Sequence, residues 1–313
     1  MTAFAFGAGV DGALTELAAI AQQFPPTDVP GARMYARARA RLGGPAPDLH
    51  EVRNVTIPRR LGGLGLRVYR PAPGRLPVVL HLHGGWFYFG DLESHDTLCR
   101  ALAQAAGCVV VAVNYRRAPE HPFPDSPDDC LLAAEWIAEH ADDLGVDPAL
   151  FAIAGDGAGA ALAVVTARRA RDGGGPAFRA QVLLCPVIRA AQDTGSWREL
   201  GDAPLVSAAQ ARWAWSMYVP DGSAADQPDA APAAIADLAG LPPALVVTAE
   251  YDPLRDEGEQ FAARLEAAGV PTRLRRYPGM VHGFALLGGL VPAGRAVIDE
   301  VAQELRSAFV LNA

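Results

Sequence analysis

Phe151-Ala-Ile-Ala-Gly155-Asp-Gly157-Ala-Gly159-Ala160-Ala-Leu-Ala is the stretch on which the reading of this chain turns. An apolar run, read as a buried strand, breaks at a turn of small residues and continues into an Ala-rich helix. Two chemistries use a strand, a sharp turn and a helix in this arrangement. The pattern G-x-S-x-G holds a serine nucleophile at the turn. The pattern G-x-G-x-x-G/A holds the pyrophosphate of a dinucleotide. Gly155 to Gly159 frame the first pattern, but its centre is Gly157, which has no side chain to attack with. Gly155, Gly157 and Ala160 satisfy the second.

The nucleotide reading fails on its partner residue. It needs an acid about twenty positions on, at the end of the next strand, to hold a ribose. The next strand, Gln181-Val-Leu-Leu-Cys185, ends without one.

Outward from this stretch the chain alternates strand and helix patterns. Val52-Arg-Asn-Val-Thr-Ile and Leu64-Gly-Leu-Arg-Val-Tyr alternate at period two and read as an antiparallel hairpin. Strands then follow at Leu76–His83, Cys108–Val113, Leu150–Ala154, Ala180–Cys185, Ala244–Ala249 and Thr272–Tyr277. Helix patterns fall near Glu93–Ala106, Asp128–Asp143, Ala158–Asp172, Glu257–Ala268 and Ala293–Phe309. Continuous apolar strands alternating with helices predict an α/β fold with a mostly parallel eight-stranded sheet covered on both faces. Residues 1–45 carry two helical patterns split by Pro25-Pro26 and read as an N-terminal lid. Residues 190–235 break the alternation with Trp197, Trp213, Trp215, Met217 and Tyr218 and read as a cap insertion. The core is then 46–189 with 236–313.

Composition narrows the function classes. Of 313 residues half are hydrophobic and a fifth charged, with a formal net charge of −8. That profile fits a globular protein and gives no basic face for nucleic acid. The opening residues Met1-Thr-Ala-Phe lack a basic n-region, and no apolar run reaches the length of a membrane span, so a cytoplasmic location is expected. Cys99, Cys108, Cys130 and Cys185 show no C-x-x-C pairing and read as buried thiols. Cys185 ends a strand, and no spacing in the sequence places its sulfur near a catalytic histidine. His81, His83 and His95 have no carboxylate cluster beside them, so no metal site and no cofactor are expected.

Five motifs now stand in one order. They are His83-Gly84-Gly85-Trp86, Tyr115-Arg-Arg-Ala-Pro-Glu120-His121-Pro-Phe-Pro124, Gly155-Asp-Gly157-Ala-Gly159, Asp252-Pro-Leu-Arg-Asp-Glu257 and His282-Gly-Phe284. The order resembles the hormone-sensitive-lipase-like (family IV) carboxylesterases of the α/β-hydrolase fold, from about residue 50 to the C-terminus. The resemblance implies that Asp252 is the triad acid and His282 the base. It also implies that Gly84, Gly85 and Ala158 supply oxyanion-hole amides and that Asp156 has a structural hydrogen-bonding role. Arg116, Glu120 and His121 would form a hydrogen-bond network beneath the pocket. Relatives often dimerise through the last strand and helix, so a homodimer is expected.

Three positions depart from the family. Gly157 stands at the nucleophile, Trp86 at the third glycine of H-G-G-G, and Ala160 at the last glycine of G-D-S-A-G-G. Tyr88, in the same loop as Trp86, reads as a packed aromatic at the pocket rim. Three departures around one pocket point to divergence rather than to one designed inactivation. The resemblance reaches eliminating and cyclising enzymes of natural-product pathways as well as receptors. The favoured expectation is a non-hydrolytic acid–base enzyme (a lyase, cyclase or isomerase of secondary metabolism) acting through Asp252–His282 on an apolar carbonyl compound. The alternatives are a carboxylesterase inactivated at Gly157 and a ligand-binding pseudo-hydrolase.

Overall fold

The computed structural model describes residues 4–60 and 62–310. The first and last three residues of the expected N-terminal and C-terminal segments lie outside them. The chain begins with helices α1 (Val10–Gln23) and α2 (Val29–Arg39), followed by the hairpin β1 (Glu51–Pro58) and β2 (Gly63–Arg70). The alternating part comprises β3 (Leu76–Leu82), α3 (Asp96–Ala106), β4 (Val109–Asn114), α4 (Asp125–Glu139), the short α5 (Ala141–Leu144), β5 (Val146–Asp156), α6 (Ala158–Gly173) and β6 (Gln181–Leu184). Between β6 and the last strands come α7 (Gly195–Leu200) and α8 (Ala208–Tyr218). The chain closes with β7 (Ala244–Tyr251), α9 (Arg255–Ala267), β8 (Thr272–Val281) and α10 (Pro292–Val310).

The eight strands form one sheet in the order β1-β2-β4-β3-β5-β6-β7-β8. The β1–β2 and β2–β4 pairings are antiparallel and all others parallel. Alternation along the strands divides the core into two layers. Val78, Leu80 and Leu82 of β3 join one cluster with residues of α4, α6 and α9. Val79 joins the other, with residues of α1, α3 and α10. Both faces need apolar side chains, which is why the strands read as unbroken apolar runs.

Helix boundaries moved where local side-chain chemistry competes with the helix. The expected start of α3 near Glu93 shifts to Asp96 because the Asp91 backbone N–H donates to Ser94 Oγ (2.8 Å) and the Ser94 N–H returns to Asp91 Oδ1 (2.9 Å), closing a turn. The helix expected to run to Asp143 stops at Glu139, and α5 follows as a separate turn. Asp28, Thr194 and Ser207 cap α2, α7 and α8 by accepting backbone N–H groups.

This topology decides where chemistry can occur. The loops leaving β3, β5, β6, β7 and β8 all emerge at the carboxyl edge of parallel neighbours, where open α/β sheets place ligands.

Candidate active site

Gly157 is the single residue between β5 and α6, with φ 53° and ψ −117°. Its backbone is tied to the neighbouring strand: the Gly157 N–H donates to the Leu184 carbonyl (2.8 Å), and the Val187 N–H donates to the Gly157 carbonyl (3.1 Å). The flanking glycines are demanded by close packing. A Cβ on Gly155 would fall 2.3 Å from the Gly159 carbonyl oxygen, and one on Gly159 would fall 1.9 Å from that of Leu82. Gly157 differs. A Cβ there would meet nothing nearer than His282 Nε2 at 3.6 Å, with Gly84 Cα at 4.0 Å. The site has room for a side chain at this turn.

His282 follows β8, and its Nδ1 lies 2.8 Å from Asp252 Oδ2. Asp252 follows β7, is buried, and receives the Leu254 N–H on its other oxygen at 3.0 Å. The carboxylate is thus held from both sides and fixes the imidazole orientation. Because β7 and β8 are parallel neighbours, the two residues meet although thirty positions separate them.

The amides divide differently from the expectation. The Gly84 N–H is not free: it donates to Asp156 Oδ1 at 2.9 Å. Gly84 therefore brings its backbone alongside the turn but cannot also offer that donor to an oxyanion. The Ala158 N–H is the first of a 16-residue helix, so no intrahelical acceptor exists for it and it lies at the positive end of the dipole. The Gly85 N–H makes no backbone hydrogen bond among the described residues.

Asp156 is itself buried and paired with His95 Nε2 at 3.2 Å. Burial opposes its ionisation, yet His95, His81 and the Gly84 N–H outweigh that and hold its pKa well below the usual carboxylate value. Asp156 thus locks the loop after β3 to the turn after β5. Burial lowers His81 to about 4 and His83 to about 3, so both rings are neutral near pH 7.

Trp86 takes φ 51°, a conformation natural to glycine, and its side chain is buried in the core. Packing thus accommodates a bulky residue at this loop position. Tyr88 is fully buried, stacks edge-on to Trp213 (5.1 Å) and receives Gln210 Nε2 at 3.5 Å. Burial raises its pKa, which suits a packed aromatic rather than a proton donor near neutrality. Of the expected network, Arg116 and His121 share Asp125 (2.7 and 3.1 Å) and Arg116 also holds buried Asp129 (2.9 Å), whereas exposed Glu120 stands apart and pairs with Arg33 of α2 at 2.7 Å.

Two residues have a closer relation to the site than sequence reasoning gave them. Cys185, which no spacing placed near His282, has its sulfur within 4.8 Å of ligand atoms of both Asp252 and His282. Burial and the Asp252 charge push its thiol well above the ordinary value, and the sulfur lies beside the hydrogen-bonded Asp252–His282 pair. Glu257, which closes the Asp252 motif and is expected to open a helix, is buried. It accepts the Ile188 N–H (2.8 Å) and Trp197 Nε1–H (3.1 Å), tying α9 to the 188–197 segment. No helix among the described residues is long and apolar enough to cross a membrane.

With this geometry in place, the likeness to known proteins becomes specific. The alpha/beta hydrolase fold family matches residues 79–286. Carboxylesterase NlhH of Mycobacterium tuberculosis is 42% identical over 271 residues, covering 82% of this chain and 84% of that protein. Esterase LipI of the same organism is 41% identical over 269 residues, covering 83% and 82%. Among solved structures, the hyperthermophilic esterase from the archaeon Pyrobaculum calidifontis superposes with a TM-score of 0.88 at 41% identity, covering 94% of this chain and 96% of that one. The preference for lyase or cyclase chemistry draws nothing from these relatives, which are named as esterases. The chain belongs to the hormone-sensitive-lipase-like branch of the alpha/beta hydrolase fold family.

Proposed function

We propose that this chain is a carboxylic-ester hydrolase scaffold in which Gly157 occupies the nucleophile position. The observation that carries this is the space at Gly157, where a side chain would start 3.6 Å from His282 Nε2 on a backbone held at φ 53°. Acyl-enzyme formation is closed to such a chain. Ester cleavage falls to a water between Gly157 and His282. His282 Nε2 takes the water proton as the oxygen attacks the carbonyl, and Asp252 stabilises the imidazolium. Ala158 and Gly85 donate to the resulting oxyanion, and the imidazolium returns its proton to the departing alkoxide. The named relatives, a carboxylesterase and two esterases, support an ester as substrate.

Retention of the Asp252–His282 pair favours a second reading, in which His282 moves a proton in an elimination, cyclisation or isomerisation of an apolar carbonyl compound. Unchanged turnover of such a substrate in His282→Ala would sink it. The buried cysteines support a reducing compartment such as the cytoplasm. The place of β8 at the end of the sheet supports a homodimer through that strand.

The test of the principal reading is hydrolysis of p-nitrophenyl acetate and butyrate by wild type and Gly157→Ser. Serine is expected to raise kcat by about 10³-fold or more, given what triads lose without it. Equal rates in both proteins would reject the proposal.

A further inference from the structure

A cavity of ≈750 Å³ lies between α1, α2, the Phe89 end of the β3 loop and residues 203–213. That size suits a small-molecule ligand. Its wall is mainly apolar, formed by side chains such as Leu17, Tyr35, Phe89 and Trp213, and among the described residues it contains a single charged one, Arg39.

The surroundings of Arg39 set it apart from its neighbours. Arg33 pairs with Glu120 (2.7 Å), Arg37 with Asp91 (2.5 Å) and Arg41 with Glu16 (3.4 Å). These arginines turn away to acids on other elements. Arg39 faces the cavity instead. Its Nε is buried without a hydrogen-bond partner among the described residues, and its guanidinium carbon lies 5.7 Å from the centre of the Phe89 ring. Among the described residues no aspartate or glutamate lines the cavity. A buried N–H without a partner is costly, and a cation in an apolar wall selects an anion. A guanidinium fork matches the two oxygens of a carboxylate.

We propose that this cavity binds an amphipathic carboxylate, with its apolar chain or ring against Leu17, Phe89 and Trp213 and its carboxylate on Arg39. The proposal concerns binding alone. It holds or fails independently of any chemistry at His282. The acid end of a longer ester and a free carboxylic acid present the same group to Arg39.

Calorimetric titration of the full chain with octanoate and with octanamide, its neutral counterpart, provides the test. Wild type is expected to bind octanoate at least about tenfold more tightly, the scale of a charge-assisted hydrogen bond. Arg39→Gln is expected to abolish that preference, and Arg39→Lys, which keeps the charge, to retain part of it. Raising the salt concentration should weaken octanoate binding and leave octanamide unchanged. Monomethyl suberate, a half-ester, distinguishes the two sources: binding like octanoate extends the site to ester substrates, and the ester-only analogue dimethyl suberate should lose the preference. Absence of octanoate binding, equal affinity for octanoate and octanamide in wild type, or a preference that survives Arg39→Gln would overturn the proposal.

Discussion

A Cβ on Gly157 would lie 3.6 Å from His282 Nε2, while the opposite nitrogen of the same ring is held 2.8 Å from Asp252. The ring is oriented and its reactive side meets an open position. The backbone there keeps φ 53° and ψ −117°, a conformation that only glycine adopts without strain. Converting Gly157 to serine or alanine is therefore expected to destabilise the protein by roughly 1–3 kcal/mol. Urea denaturation would measure this. No loss in either variant would mean that the turn relaxes rather than holding its shape.

Much of this geometry could be read before the fold was seen. The strand pattern from Leu76 to Tyr277 set the sheet, because doubly buried strands must be apolar throughout. Asp252 and His282 lay in motifs of fixed order, and the two residues meet. The amide assignment failed at Gly84, whose N–H is committed to Asp156, 72 positions away. No local pattern announces such a bond. Cys185 failed for the same reason: it reaches Asp252 because its N–H joins the Val247 carbonyl at 2.7 Å across adjacent strands. The burial of Glu257 was hidden because its partners, Ile188 and Trp197, lie in the segment that breaks the alternation.

Glu257 makes stability depend on pH. Burial raises its pKa from the ordinary 4.5 to about 8, against the pull of its two N–H donors. Between those values the folded chain keeps a proton that the unfolded chain releases. This group's contribution is therefore fully present below about pH 4.5 and lost as pH rises towards 8. Glu257→Gln cannot ionise. Wild-type Tm should fall relative to the variant as pH is raised from about 5 to 8. A rise of wild type relative to the variant over that range would contradict the assignment.

All four thiols are expected to resist modification in the folded protein. Cys99, Cys108, Cys130 and Cys185 are buried, and burial raises each pKa, that of Cys108 to about 12. A thiol must ionise and be reached to react. Ellman's reagent should release no rapid chromophore from native protein and four equivalents in denaturant. One fast native equivalent at Cys185 would show that the cluster around Asp252 opens to solvent.

One side chain separates this chain from an assembled serine-esterase site, with a nucleophile beside the His282–Asp252 pair. Intact-protein mass spectrometry after exposure to a fluorophosphonate tests it most directly, because the reagent reports an activated serine without requiring the natural substrate. Gly157→Ser should gain one covalent adduct, mapped to residue 157, while wild type gains none and Gly157→Ser with His282→Ala reacts slower by about 10³-fold or more. A Gly157→Ser protein that stays folded but takes no label, or takes it equally fast without His282, would contradict the account.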